Sequence, residues 1–246
     1  MRTALNRLAL AVASWIALGF GPAARAEPLI GINFAGGGGP GSPSTLNPTD
    51  LAGVVPQMFW NNAAGASGVL ANLSGAEDGT PVATAISVTW SSNNTWSTGI
   101  PLTTPNNRLM EGYLDTGSTT HTLVTVSGIP LSVYDVYVYT DGDNPETRVG
   151  SYTIAGVTQT TTDPAGVNFN GTFILGQNYT VFTGLTGSSF TLDATPLAVG
   201  GAPRAPVNGV QIVPSAIPEP STLVLGGTAV LFGLGSAWRR RRAGRA

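Results

Sequence analysis

The sequence predicts an all-β protein, an antiparallel β-sandwich of the jelly-roll kind, flanked by an N-terminal signal peptide and a C-terminal transmembrane helix. Three observations predict it. Short runs of β-forming residues recur between turn residues through the middle of the chain; no segment there holds a 3.6-residue apolar period between helix caps. The 33 glycines and 18 prolines of the 246 residues fall mostly between those runs, as turn-rich β structure requires. Each end of the chain carries its own apolar segment with arginines beside it.

The first element is a secretory signal over 1–26. Arg2 and Arg7 precede the apolar run Leu8 to Phe20, and small residues at Ala24 and Ala26 mark a cleavage site just before Glu27. Signal peptidase is the partner this implies. The body then runs from 27 to 216. Its expected strands are Ile30 to Phe34, Val54 to Trp60, Ala85 to Trp90, Leu109 to Leu114, Thr122 to Val126, Val133 to Thr140, Ser151 to Ala155, Tyr179 to Thr183, Ser188 to Ala194 and Asn208 to Val213. In "AISVTW", Ile86, Val88 and Trp90 share one face and Ala85, Ser87 and Thr89 the other, the alternation of a half-buried strand. "SSFTLDA" and "NGVQIV" repeat that period, whereas "VYDVYVYT" is apolar or aromatic almost throughout and suits a strand covered on both faces.

The last element, 217–246, reads Pro218-Glu219-Pro220, then the 16 uncharged residues Leu223 to Trp238, then Arg239 to Arg242. As a helix the uncharged run would be about 24 Å long at roughly 1.5 Å per residue, somewhat less than a hydrocarbon core of about 30 Å. The arginines would keep its end in the cytoplasm.

This order of Pro-Glu-Pro, Ser221-Thr222-Leu223, Gly-rich apolar run and arginine cluster resembles the PEP-CTERM sorting signal of exported bacterial proteins. The resemblance implies an exosortase as processing partner, with Pro218, Glu219 and Pro220 as the motif it reads. It also implies transient anchorage in the inner membrane before release to the cell surface or the extracellular matrix. The segments "YDVYVYTDGDN", "GSYTIAG", "NYTVFTGLTGSSFTLDA" and "RAPVNGVQIVP" are similar to galactose-binding-like β-sandwich bodies, which implies sugar binding on a face or end loop and a structural calcium near a loop.

Charge and composition exclude several functions. Charged residues make up 10% of the chain, against roughly 25% in an average soluble domain. Residues 27 to 217 hold three arginines and no lysine against 12 acidic residues, a net charge of −9, so the body repels nucleic acid. Cysteine is absent, which removes disulfides, thiolate zinc sites and cysteine nucleophiles. His121 is the one histidine, so neither a multi-histidine zinc site nor a Ser-His-Asp triad without it can form.

The expected protein is therefore a non-enzymatic envelope or matrix component whose sandwich binds polysaccharide. The alternative is a secreted carbohydrate-active enzyme with a carboxylate pair, drawn from Glu77 with Asp78, Glu111 with Asp115, or Asp141 with Asp143 and Glu146. "DGDNPE" is open between a hydrated hairpin turn and a calcium loop, with Asp141, Asp143 and Glu146 as the ligands. For a sugar, the candidates are Trp96 with Asn93 and Asn94, and Trp60 beside Asn61 and Asn62, since a pyranose stacks on a ring while neighbouring polar groups hold its hydroxyls. Trp90 shares its face with Ile86 and Val88 and is expected in the core. The Asn-x-Ser/Thr sequences at Asn72, Asn93, Asn170 and Asn178 reflect Thr- and Asn-rich β composition.

Overall fold

Alternation in "IGINF" sends Ile30, Ile32 and Phe34 to one side of the strand and Gly31 and Asn33 to the other, and all five are buried. The side holding the isoleucines is the interior of a sandwich. The computed structural model describes residues 27–38, 41–143, 145–199 and 201–215. Strands are numbered β1 to β15 in chain order. One sheet has the order β13 (Tyr179–Leu185), β10 (Tyr134–Tyr139), β15 (Gly209–Pro214), β1 (Ile30–Phe34), β2 (Asn61–Ala63). The other has the order β12 (Val157–Asp163), β11 (Arg148–Ile154), β14 (Ser189–Leu197), β9 (Thr122–Ser127), β6 (Ser87–Ser91), β3 (Ser67–Leu70). Pairing is antiparallel except for β1 with β2, which is parallel. Two two-stranded sheets, β4 (Ser74–Glu77) with β5 (Thr80–Ala83) and β7 (Asn94–Ser97) with β8 (Gly112–Asp115), complete the strands of the described residues.

The two sheets close on one apolar layer. Val136 and Val138 of β10, Val210 and Ile212 of β15 and Phe182 of β13 meet Val88 and Trp90 of β6, Val124 and Val126 of β9, Tyr152 and Ile154 of β11 and Leu192 of β14. Trp90 lies edge-on to Phe34 at 6.0 Å between ring centres, in the core as its face predicts. At about 25 cal/mol per Å² this burial is the main force holding the sheets together.

The five-stranded sheet is covered on its outer face as well. Leu46, Ala52, Trp60, Leu109, Met110 and Phe169 pack there around Tyr139. That second layer explains the unbroken apolar character of "VYDVYVYT". It also corrects one expected strand. Val54 to Trp60 is a loop folded over the sheet, because Pro56 lacks a donor and Gly53 and Phe59 have φ of 101° and 57°, outside strand geometry. Trp60 lies against Gly31, where a Cβ would come within 2.5 Å of the indole, so only glycine admits the ring.

A second correction concerns Leu109 to Leu114. Its first half is a helix, α1 (Pro105–Glu111), and only Gly112–Asp115 is strand. Thr104 caps the helix by accepting from the Asn107 amide at 3.1 Å, and Pro105 supplies the φ that the first turn needs. The signal peptide, Ala24 and Ala26, Asn144, Pro218, Glu219, Pro220 and the apolar run Leu223 to Trp238 lie outside the described residues.

Candidate functional site

The ribbon of β7 and β8 crosses one end of the sandwich. Its register sets Asn94 opposite Asp115 and Trp96 opposite Tyr113, so these four positions share one face of the ribbon. The ribbon is fixed from behind. Gly112 packs so closely on the Ala35–Gly36 backbone that a Cβ would meet it at 2.3 Å, and Leu114 and Val207 exchange backbone hydrogen bonds of 2.9 and 3.2 Å. Buried Asn208 ties three segments together: its Nδ2 donates to the carbonyls of Met110 (3.0 Å) and Gly112 (3.1 Å), and its Oδ1 accepts from the Asp141 amide (2.6 Å).

Opposite the ribbon stand the loop after β10 and the loop before β15. Together they border an open cavity of about 230 Å³ lined by Trp96, Tyr113, Asp115, Asp143, Pro145, Arg148 and Arg204. The Asp143 amide donates to the Tyr113 hydroxyl at 3.2 Å, and Arg148 donates to the Asp143 carbonyl at 3.1 Å. Trp96 Nε1 points at Asp143 Oδ2 at 3.5 Å, a long contact. Arg204 is held by its own donation to Pro203 O at 2.7 Å and by the Ala205 amide bonding to Thr116 Oγ1 at 3.0 Å. Its Nε lies 3.3 Å from Asp115 Oδ1, an ionic contact without hydrogen-bond geometry, because that oxygen is buried with no hydrogen-bond partner. Arg148 Nε is likewise buried and unpaired.

Burial pushes the Asp115 carboxyl above the usual carboxylate range, against the pull of Arg204 and then Arg148. Burial, with Asp115 adding to it, also raises the Tyr113 phenol, which stays protonated. The wall thus combines an indole, a phenol, two carboxylates and two guanidinium groups of balanced charge. Such a set can hold hydroxyl groups from both sides while a ring lies against Trp96.

The structure brings Trp96 and Asp143 together and leaves other expected ligands elsewhere. Trp60 is 5% exposed, donates from Nε1 to Gln57 O at 3.1 Å and is an anchor of the outer layer, so it offers no stacking face. Asn61 and Asn62 are taken by backbone partners and by Asn33. Asn93 and Asn94 are exposed at the ribbon's tip and do not line the cavity.

The carboxylates of "DGDNPE" diverge. Asp141 is buried and its Oδ2 accepts from the Phe169 amide at 3.0 Å; Asp143 faces Trp96; Glu146 accepts from the Ala202 amide at 3.1 Å. Among the described residues no three His, Asp or Glu side chains form a group that could hold a metal ion. Glu111 is a structural anchor too, accepting from Thr98 Oγ1 and the Ile100 amide, both at 2.9 Å. His121 sits on the outer face of the six-stranded sheet with Asp193 at 2.8 Å. No motif in the sequence marks Arg148 and Arg204 as site residues, although two of only three arginines in the body invite the question; the third, Arg108, pairs with Asp50 at 2.8 Å.

Fold and cavity define a two-sheet β-sandwich with a small polar-aromatic cavity at one end. The chain carries a PEP-CTERM protein-sorting motif, matched over residues 216–242. Among solved structures it is similar to the CBM36-1 domain of a multidomain xylanase from the hindgut metagenome of Trinervitermes trinervoides, at 14% identity and a TM-score of 0.28, over 41% of this chain and 76% of that domain. A likeness of that degree bears on neither ligand nor site. No curated protein matches the chain. No helix among the described residues is long and apolar enough to cross a membrane.

Proposed function

We propose that the chain is an exported protein, sorted by an exosortase through its C-terminal motif, whose sandwich body binds polysaccharide in the cavity beside Trp96. The sorting motif supports the first half: it implies export and passage through a membrane-anchored stage. One observation carries the second half. An indole shares a cavity with a buried acceptor, Asp115 Oδ1, and a buried donor, Arg148 Nε, neither of which has a hydrogen-bond partner. A buried polar atom left unpaired costs about 1–3 kcal/mol. The side chains that carry these atoms line the cavity, where a ligand hydroxyl can donate to the carboxylate and accept from the guanidinium.

The test is a polysaccharide and oligosaccharide array probed with the full-length chain in detergent, beside its Trp96→Ala variant. Binding by the wild type and a loss of at least about tenfold in the variant, equal to about 1.4 kcal/mol, is the expected result. Retention of full binding by the variant would move the site elsewhere. A second reading, hydrolysis, is favoured by the presence of Asp115 and Asp143 in the same cavity, with Asp115 raised by burial toward a proton-holding state. Release of reducing ends from a bound glycan would select it.

A further inference from the structure

The reading of a glycan site leaves open whether the body grips the middle of a polysaccharide or its end. Resting on that reading, we infer that the cavity takes one neutral terminal sugar residue, so that the protein binds polysaccharide end-on.

Size comes first. About 230 Å³ lies below the roughly 300–1,000 Å³ of cavities that enclose drug-sized ligands, which leaves room for a single ring and not for a run of them. Walls come second. The cavity is lined from four separate segments: Trp96 on β7, Tyr113 and Asp115 on β8, Asp143 and Pro145 ahead of Arg148, and Arg204 before β15. A chain lying across the site would need further stacking surface beside the indole to hold its next residue. Here the aromatic surface is one indole, with no second exposed ring in the lining to hold the next residue.

Charge comes third and fixes the class of sugar. Two arginines face two aspartates, and Asp115 already leans on Arg204 at 3.3 Å. A uronate would bring a third carboxylate toward Asp115 and Asp143, and an amino sugar a third cation toward Arg148 and Arg204. A neutral sugar adds neither. Its hydroxyls are donor and acceptor at once, matching carboxylates that accept and guanidinium groups that donate in the wall.

The experiment titrates the full-length chain in detergent with the methyl glycosides of glucose, galactose, mannose and xylose, with their linear tetrasaccharides and with the corresponding polymers. Expected is a methyl glycoside that binds within about threefold of its tetrasaccharide, a difference of about 0.7 kcal/mol or less. The number of protein molecules bound per polymer should follow chain ends and not chain length. The Arg148→Met variant should lose affinity for monomer and tetramer by the same factor, since both use the same subsite. Affinity that climbs more than about tenfold from monomer to tetramer, or stoichiometry that grows with chain length, would overturn the end-on mode while leaving glycan binding intact. Binding to no saccharide of any length would reject the underlying reading and this inference with it.

Discussion

Asp141 lies two residues past the end of β10, is 2% exposed, and has one hydrogen bond to its carboxyl, from the Phe169 amide, to compensate its charge. Burial outweighs that bond and pushes its pKa up to about 7. In the unfolded chain it titrates near the ordinary aspartate value, about 3.9. Between those values the folded state holds more protons than the unfolded, so this residue's contribution to stability is complete below about pH 4 and is lost as pH rises toward 7. Asp141→Asn keeps an acceptor oxygen for Phe169 and removes the ionisation. The difference in unfolding free energy between variant and wild type should therefore swing in the variant's favour by roughly 2–4 kcal/mol from pH 4 to pH 8, read from denaturant curves at each pH. A constant difference across that range would mean that Asp141 does not titrate there. The same residue shows what a short motif can hide. "DGDNPE" puts three acids close in sequence, but which direction each side chain takes depends on Phe169, Trp96 and Ala202, all distant along the chain. Trp96 was legible because polar residues surround it, and Trp60 was not, because its asparagine neighbours face backbone partners beneath a loop.

At the scale of elements, β10 is the strand on which both apolar layers meet. Tyr139 at its end sends its hydroxyl into a buried network, donating to Gln211 Oε1 at 2.7 Å and accepting from the Val54 amide at 2.8 Å. Gln211 in turn donates to Val55 O at 2.6 Å and Gln57 Oε1 at 2.8 Å. This network fastens the 51–60 loop to the sheet where no ladder can. Tyr139→Phe leaves the Val54 amide and Gln211 Oε1 each short of a partner, and should cost about 1–3 kcal/mol, with faster amide exchange at Val54 than at the β1 and β15 amides. Equal protection across loop and sheet would show that apolar packing alone holds the loop. Strands with clean alternation, such as β6 and β14, were legible from sequence because one face is core and the other is not. β3, β4 and β5 were not. Ser67–Leu70, Ser74–Glu77 and Thr80–Ala83 are four residues each and carry Gly, Pro or Ser, so their strand state comes from pairing partners and not from local preference. The helix α1 did leave a signal, Thr104-Pro105, a cap and a first-turn proline that the apolar pattern of Leu109 to Leu114 outweighed.

On the scale of the whole molecule, charge separates the body from its ends. Residues 27 to 217 carry −9, while five of the 11 arginines follow Trp238. An acidic body is repelled by anionic lipid, whereas an apolar run followed by arginines is retained at a membrane whose cytoplasmic side attracts them. The sorting motif over 216–242 joins these opposed parts. Under the proposed sorting, cleavage near Pro218-Glu219-Pro220 removes the apolar run and every arginine after it, so one bond decides between an anchored protein and a soluble, acidic one able to carry its end cavity to a polysaccharide. Glu219 supplies the single charge between the body and the arginines, and its replacement alters neither the apolar run nor the fold of the described residues. Glu219→Ala in the native host should therefore accumulate a full-length form in the membrane fraction, while the wild type appears at the surface or in the medium, shortened by mass spectrometry to a C-terminus before Leu223. Loss of the host's exosortase should give the same membrane-bound form without any change in the protein. Recovery of the released wild-type protein with Arg239 to Arg242 still attached would make the tail an ordinary anchor and end the sorting proposal.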